Sequence, residues 1–225
     1  FYIHSSLTNS LSCSIKFNKY VSRSLLNELE FSSKFKHSGV VIHPGTCSHN
    51  LINQDDVKEA LNKIIVNISN LYKNNDVNGR LLLENCAGEG KKVPKNLDQI
   101  AYIIKHLELI KDKEGKYISS KVGICIDTCH LFAAGDYDLR KKSQITKFKE
   151  DFETKIGLKY LKLIHLNDSK DPFNSHKDRH EIIGQGNIWK KENLGHFLEC
   201  FSKVPMVCET SSFEKSLDFI LGKEK

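Results

Sequence analysis

Six short β-type runs in this chain each end on a side chain that can bind a metal. Phe1-Tyr2-Ile3 leads into His4, Gly39-Val40-Val41-Ile42 into His43, and Arg80-Leu81-Leu82-Leu83 into Glu84. Val122-Gly123-Ile124-Cys125-Ile126 leads into Asp127, Tyr160-Leu161-Lys162-Leu163-Ile164 into His165, and Val204-Pro205-Met206-Val207-Cys208 into Glu209. Asp127-Thr128-Cys129-His130 lets a carboxylate face one ion and an imidazole its neighbour. In Asp178-Arg179-His180, alternate residues of an extended segment point the same way. Five histidines and four carboxylates exceed what one or two ions need and suit three if one carboxylate bridges. Mixed nitrogen and oxygen donors without thiolates fit zinc, manganese or iron in an open catalytic site, whereas structural zinc more often shows cysteine pairs. Clustered divalent ions answer the needs of phosphodiester cleavage: a nucleophile at neutral pH, neutralised phosphoryl charge and a stabilised leaving alkoxide.

Each residue also has a plainer reading. A lone histidine at a strand end is usually a satisfied core or loop residue, Asp127 can cap a helix through Cys129 and His130, and Asp178 and His180 can lie in an exposed loop. Glu84 and Glu209 resist this most, because buried carboxylates are rare unless paired or metal-bound. Six coincident strand ends argue for a multi-metal site.

The elements that must position these groups alternate strand, helix, strand. Helical spacing joins Phe17, Tyr20, Val21, Leu25, Glu28 and Phe31. Asn53 can cap a helix with Val57, Ala60, Leu61, Ile64, Ile65, Ile68 and Leu71 on one face. Asn96 and Gln99 resemble a capping box before Leu97, Ile100, Ala101, Ile104 and Leu107. Later helices run through Ile145, Phe148, Phe152 and Ile156, then Leu194, Phe197, Leu198 and Phe201, and finally Phe213, Leu217, Ile220 and Leu221. Continuous apolar strand cores in this order imply a parallel α/β sheet covered by helices, whose active site lies at the strand C-termini. Six strands fall two β/α units short of a (β/α)8 barrel, so we expect one catalytic domain over 1–225 whose first two units are lacking on the N-terminal side. The stretch from Asn167 to Ile188 reads as a long loop, with a turn at Gly184-Gln185-Gly186.

The 225 residues suffice for one full core, and 28% charged with 39% hydrophobic content is that of a soluble globular protein. No apolar run approaches the roughly 20 residues of a membrane span, so no membrane partner is expected. A net charge of +6 favours anionic partners. Seven cysteines without a C-x-x-C pair point to a reducing, intracellular compartment: the nucleus or a DNA-containing organelle in a eukaryote, the cytoplasm in a bacterium. Lys170, Lys177 and Arg179 flank the proposed ligands and could meet phosphates.

Leu83-Glu84-Asn85-Cys86-Ala87-Gly88-Glu89-Gly90, Gly123-Ile124-Cys125-Ile126-Asp127-Thr128-Cys129-His130 and His165-Leu166-Asn167-Asp168-Ser169-Lys170 resemble the endonuclease IV family of apurinic/apyrimidinic endonucleases. So does Asp178-Arg179-His180 followed by Gly184-Gln185-Gly186-Asn187-Ile188. The resemblance runs through nearly the whole chain and implies a TIM barrel holding three zinc ions, with manganese or iron as alternatives at some sites. His4, His43 and Glu84 would hold one; Glu84, the central catalytic ligand, would bridge to a second on Asp127, His165 and Glu209; His130, Asp178 and His180 would hold the third. The implied reaction hydrolyses the phosphodiester 5′ to an abasic site in duplex DNA, leaving a 3′-hydroxyl, and also removes 3′-blocking groups. A monomer is expected. Family members continue the first histidine as His-x-x-Tyr-Leu-x-Asn, whereas this chain reads His4-Ser5-Ser6-Leu7-Thr8-Asn9. The tyrosine that fills the gap of the flipped nucleotide is missing, which leaves Leu7 as an apolar wedge. Leu7, Lys170 and Arg179 are therefore the candidate DNA contacts. Two other readings are a metal-dependent sugar isomerase or epimerase on the same barrel and an inactive DNA-binding remnant. The isomerases do not need the Asp178-x-His180 arm, and the intact ligand set argues against the remnant.

Overall fold

The computed structural model describes residues 1–6, 9–12, 15–47 and 53–223. The chain packs as two compact units. The first comprises residues 1–84, 91–94 and 98–124, and the second 85–90, 95–97 and 125–225.

In the first unit the elements are β1 (Tyr2–His4), α1 (Ile15–Ser32), β2 (Gly39–Ile42), β3 (Gly45–Thr46), α2 (Gln54–Asn74), β4 (Leu81–Glu84), β5 (Lys92–Val93), α3 (Leu97–Leu107) and the start of β6 (Val122–Asp127). β1 pairs parallel with β2 (Ile3 opposite Val40), and β2 parallel with β4 (Ile42 opposite Leu83). Every residue of β2 and β4 is buried, as strands covered on both faces require. Burial of this kind contributes roughly 1.5–3 kcal/mol per large aliphatic side chain.

α2 starts where its sequence says it should. Asn53 Oδ1 accepts the Asp56 N–H at 2.9 Å, and Asp56 Oδ2 accepts the Asn53 N–H at 3.2 Å. This reciprocal pair satisfies two of the N–H groups a helix start leaves unbonded. α2 and α3 bury the faces expected of them, with Val57 half-buried. α1 does not. Its buried stripe is Val21, Leu25, Leu29 and Ser32, while Tyr20 (81%) and Phe31 (47%) are exposed. At about 3.6 residues per turn these two rings, eleven residues apart, lie together on one flank of the stripe.

The second unit continues with the end of β6, α4 (Thr128–Ala134), α5 (Lys142–Lys155), β7 (Leu161–His165), β8 (Asp168–Ser169), β9 (His180–Glu181), α6 (Lys191–Cys200), β10 (Met206–Val207) and α7 (Phe213–Leu221). β10 pairs parallel with β7. It is shorter than expected from Val204 to Cys208, because Pro205 has no N–H to give the ladder and contributes only its carbonyl, to Ile164 N at 3.0 Å. The segment expected as one long loop contains the antiparallel pair β8–β9, with Ser169 opposite His180. The core here is aromatic: Phe148, Phe152, Trp189, Phe197 and Phe201 are all nearly or fully buried, with ring centroids 4.8–6.0 Å apart along the cluster. On α7, Phe213, Leu217 and Leu221 stay exposed. Its buried residue is Ser216, whose Oγ accepts the Ile183 N–H at 3.3 Å. Among the described residues no helix is long and apolar enough to cross a membrane.

Candidate metal centre

In the first unit, β1, β2 and β4 end side by side, and parallel pairing delivers their terminal side chains to one end. Nε2 of His4 and Nε2 of His43 each lie 3.1 Å from the same oxygen, Oε2 of Glu84. Glu84 is fully buried, His43 half-buried and His4 more open. His4 Nδ1 donates to the Ser5 carbonyl at 2.9 Å, which leaves Nε2 as the lone-pair nitrogen. Two imidazoles meeting at one oxygen of a buried carboxylate form a group that could hold a metal ion.

The second unit gathers the other six. Ligand atoms of Asp127, His165 and Glu209 lie within 4.8 Å of one another, and so do those of Asp127, His130 and His180. His165 Nδ1 is 3.0 Å from Glu209 Oε2. Asp178 Oδ1 sits 2.9 Å from His130 Nε2 and 3.3 Å from His180 Nε2. Asp127 does two jobs. Its Oδ1 caps α4 by accepting the His130 N–H at 2.9 Å, while Oδ2 lies 3.4 Å from His180 Nε2 and 4.0 Å from His165 Nδ1. Capping and ligation are compatible because they use different oxygens.

The two ring nitrogens of His180 differ in their partners. Its Nδ1 donates to the Glu209 carbonyl at 3.2 Å. Its Nε2 is buried, and among the described residues it makes no hydrogen bond. Asp178 and Asp127 are close enough to attract an imidazolium but lie off the line of an N–H bond. Burial works against charging this ring, yet the Asp178 and Asp127 carboxylates outweigh it and push His180 up to about 9. Burial likewise opposes the charge on Asp178, but His130 and His180 pull its carboxyl far below the usual range. A buried nitrogen 3.3–3.4 Å from two carboxylate oxygens and hydrogen-bonded to neither fits a divalent cation between them. The donor set of imidazole nitrogens and carboxylate oxygens agrees. Cys129 stays a thiol, since burial and then the Asp127 charge raise its pKa.

Sequence reasoning quoted Asn85 and Asn167 but gave them no role. Asn85 Oδ1 accepts the Asp127 N–H at 2.7 Å, Asn85 Nδ2 donates to the Asp127 carbonyl at 3.3 Å, and the Asn85 carbonyl takes His130 Nδ1 at 2.9 Å. The last bond turns His130 Nε2 toward Asp178. Asn167 Nδ2 donates to Asp127 Oδ2 at 2.6 Å and Glu209 Oε2 at 3.3 Å, while its Oδ1 accepts the Glu209 N–H at 2.8 Å. Such partners set ligand orientation and basicity. The available signal was position: Asn85 follows Glu84 directly, and Asn167 lies two residues past His165.

Asp168 shapes the neighbouring loop. Its carboxylate accepts the N–H groups of Ser169, Gly184, Gly186 and Ile188 at 2.8–3.2 Å. A Cβ on Gly186 would collide with that carboxylate, so the Gly-Gln-Gly turn is built around Asp168. Of the candidate DNA contacts, Lys170 is exposed. Arg179 grips Asp171 in a two-pronged pair, Nε to Oδ2 at 2.5 Å. Leu7 lies outside the described residues.

A model of the xylose isomerase-like TIM barrel family matches residues 16–221. The probable endonuclease 4 of Buchnera aphidicola subsp. Acyrthosiphon pisum (strain Tuc7) is 41% identical over 183 residues, which is 73% of this chain and 59% of that protein. The chain thus spans about three fifths of the length of the curated relatives it matches. Among solved structures, endonuclease IV from Thermus thermophilus shares the fold with a TM-score of 0.70 at 24% identity, over 99% of this chain and 73% of that one. A D-tagatose 3-epimerase-like protein shares it with a TM-score of 0.67 at 18% identity, over 96% of this chain and 73% of that one. At these identities the structural likeness speaks for the fold alone.

Proposed function

Since this chain belongs to the xylose isomerase-like TIM-barrel family and, within it, to the endonuclease IV family, we propose that it is a metal-dependent DNA-repair endonuclease. It hydrolyses the phosphodiester 5′ to an abasic site in duplex DNA, leaves a 3′-hydroxyl, and clears 3′-blocked ends. The observation that carries this reading is the convergence of His4 Nε2 and His43 Nε2 on one oxygen of fully buried Glu84. In the first unit His4, His43 and Glu84 would hold one zinc ion. In the second, Asp127, His165 and Glu209 would hold another, and His130, Asp178 and His180 a third. When bound, such ions lower the pKa of water and neutralise charge on the phosphoryl group and leaving oxygen.

The chain's own residues supply the frame. Asn167 and Asn85 fix Asp127, Glu209 and His130 before any substrate arrives, so no free energy is spent ordering them at the moment of reaction. A metal would compete with the proton that the Asp178 and Asp127 carboxylates favour on His180, because only the neutral ring is a ligand. The Asp178-x-His180 arm favours this reading over an epimerase on the same fold. An epimerase needs fewer metal ligands.

The test is nicking of a duplex oligonucleotide with a single abasic analogue by the parent and by Glu84→Gln, with metal content measured alongside. We expect cleavage 5′ to the lesion by the parent, about three ions per chain, and loss of turnover in a folded Glu84→Gln. Near-parental cleavage by that variant would refute Glu84 as the central ligand. One or two ions without nicking would point to the epimerase, and none to an inactive remnant.

A further inference from the structure

Within the first unit, a second pocket opens at the opposite strand ends from His43 and Glu84. It has a volume of about 320 Å³ and is lined by residues just before β2, β4 and β6, chiefly His37, Ser38, Arg80, Ser120 and Lys121, with Ser33, Phe35 and Asn78 completing it. That size reaches the lower range of pockets that hold small metabolites. The N-terminal end of such strands ordinarily serves stability, and two features here do not fit that role.

The first is charge. Among the described residues no aspartate or glutamate lines the pocket. Lys121 is already matched by Asp112, with Nζ 3.0 Å from Oδ2. No carboxylate of the described residues pairs with Arg80, and its Nε is buried without a hydrogen-bond partner. A buried donor left unbonded is costly, and native structures keep few of them. An arginine fork matches an oxyanion, which can accept two N–H bonds at once. The second feature is polarity of the opposite sense. The hydroxyl protons of Ser33, Ser38 and Ser120 are committed to the carbonyls of Glu30, Ser32 or Phe35, and Tyr117, at 2.5–2.8 Å. Their oxygens are left as acceptors, suited to ligand hydroxyls. Gly79 lets the pocket floor lie against α1, since a Cβ there would collide with the Leu29 carbonyl.

We propose that this pocket binds a small polyol bearing an oxyanion, a sugar phosphate or a sugar acid. Arg80 takes the oxyanion and the serine oxygens take hydroxyls. The site is separate from the metal ligands and does not depend on the activity proposed above.

Calorimetric titration of the whole chain with ribose 5-phosphate, gluconate and ribose tests it, using the parent, Arg80→Met and Glu84→Gln. Saturable binding of ribose 5-phosphate or gluconate is expected, and whichever binds more tightly identifies the oxyanion. Ribose should bind at least tenfold more weakly. Arg80→Met should lose at least tenfold in affinity and keep parental nicking, while Glu84→Gln should keep the affinity. No saturable binding by the parent, equal affinity in Arg80→Met, or loss in Glu84→Gln instead would overturn the proposal. Should Arg80→Met fail to fold, a parent crystal soaked in tungstate decides by whether the anion sits on Arg80.

Discussion

Asn167→Ala tests whether the ligand set depends on its frame. Asn167 is fully buried and joins two candidate ligands, through Nδ2 to Asp127 Oδ2 at 2.6 Å and through Oδ1 from the Glu209 N–H at 2.8 Å. The contact to Glu209 Oε2, at 3.3 Å, is weaker. Truncation removes the hydrogen bond to Asp127 Oδ2 and leaves Oδ1 capped by the His130 N–H, so the oxygen near His165 and His180 loses the donor that orients it. Losing an orienting partner of this kind costs about tenfold to hundredfold in metal affinity, or ~1.4–2.7 kcal/mol. A chelating dye competed against the chain would read that loss, and abasic-site nicking should recover toward the parent in excess metal. Asn167→Asp keeps the shape but sets a third negative charge against Asp127 and Glu209. At roughly 4 kcal/mol gross for like charges 4 Å apart in a partly screened setting, it should destabilise the metal-free chain more than alanine does. Unchanged metal affinity in Asn167→Ala, or an activity loss that excess metal does not restore, would refute the reasoning.

In chelated protein, the His180 pKa, raised above 6.5 to about 9, contributes stability that is complete below pH 6.5 and lost as pH rises toward 9. The melting temperature of the chelated chain should therefore fall across that window, and His180→Gln should flatten the fall. Phe148→Ala opens a cavity in the aromatic core and should cost about 3–5 kcal/mol, or roughly 6–20 °C in melting temperature. Affinity for abasic duplex should fall linearly in log K with log salt, with a slope near −0.9 per phosphate contacted; a flat line would exclude duplex DNA as the partner.

Much of the site was legible because strand exits are a one-dimensional signal. An apolar run followed by His, Glu or Asp places that side chain at a known end of a parallel sheet, and no packing detail is needed to say so. The nine candidate ligand positions, the Asn53 cap and the buried faces of α2 and α3 all rest on local period and residue type. Trp189 is fully buried in the aromatic core of the second unit. Its buried ring donates Nε1 to the Asn167 carbonyl at 2.9 Å.

What lay beyond reach depended on partners distant in sequence. Periodicity marks the apolar side of a helix but not what covers it: Tyr20, Phe31, Phe213, Leu217 and Leu221 all fall on helical apolar spacings and are exposed. Arg179 read as a phosphate contact because its charge is local, whereas its pairing with Asp171 is set by how the chain turns between them. The orienting roles of Asn85 and Asn167 are bonds across 42 and 40 residues to Asp127. Residue type and spacing determined which atoms are available for chemistry. Only the folded chain decided which lone pairs face one another, because hydrogen-bond direction is a property of three-dimensional neighbours.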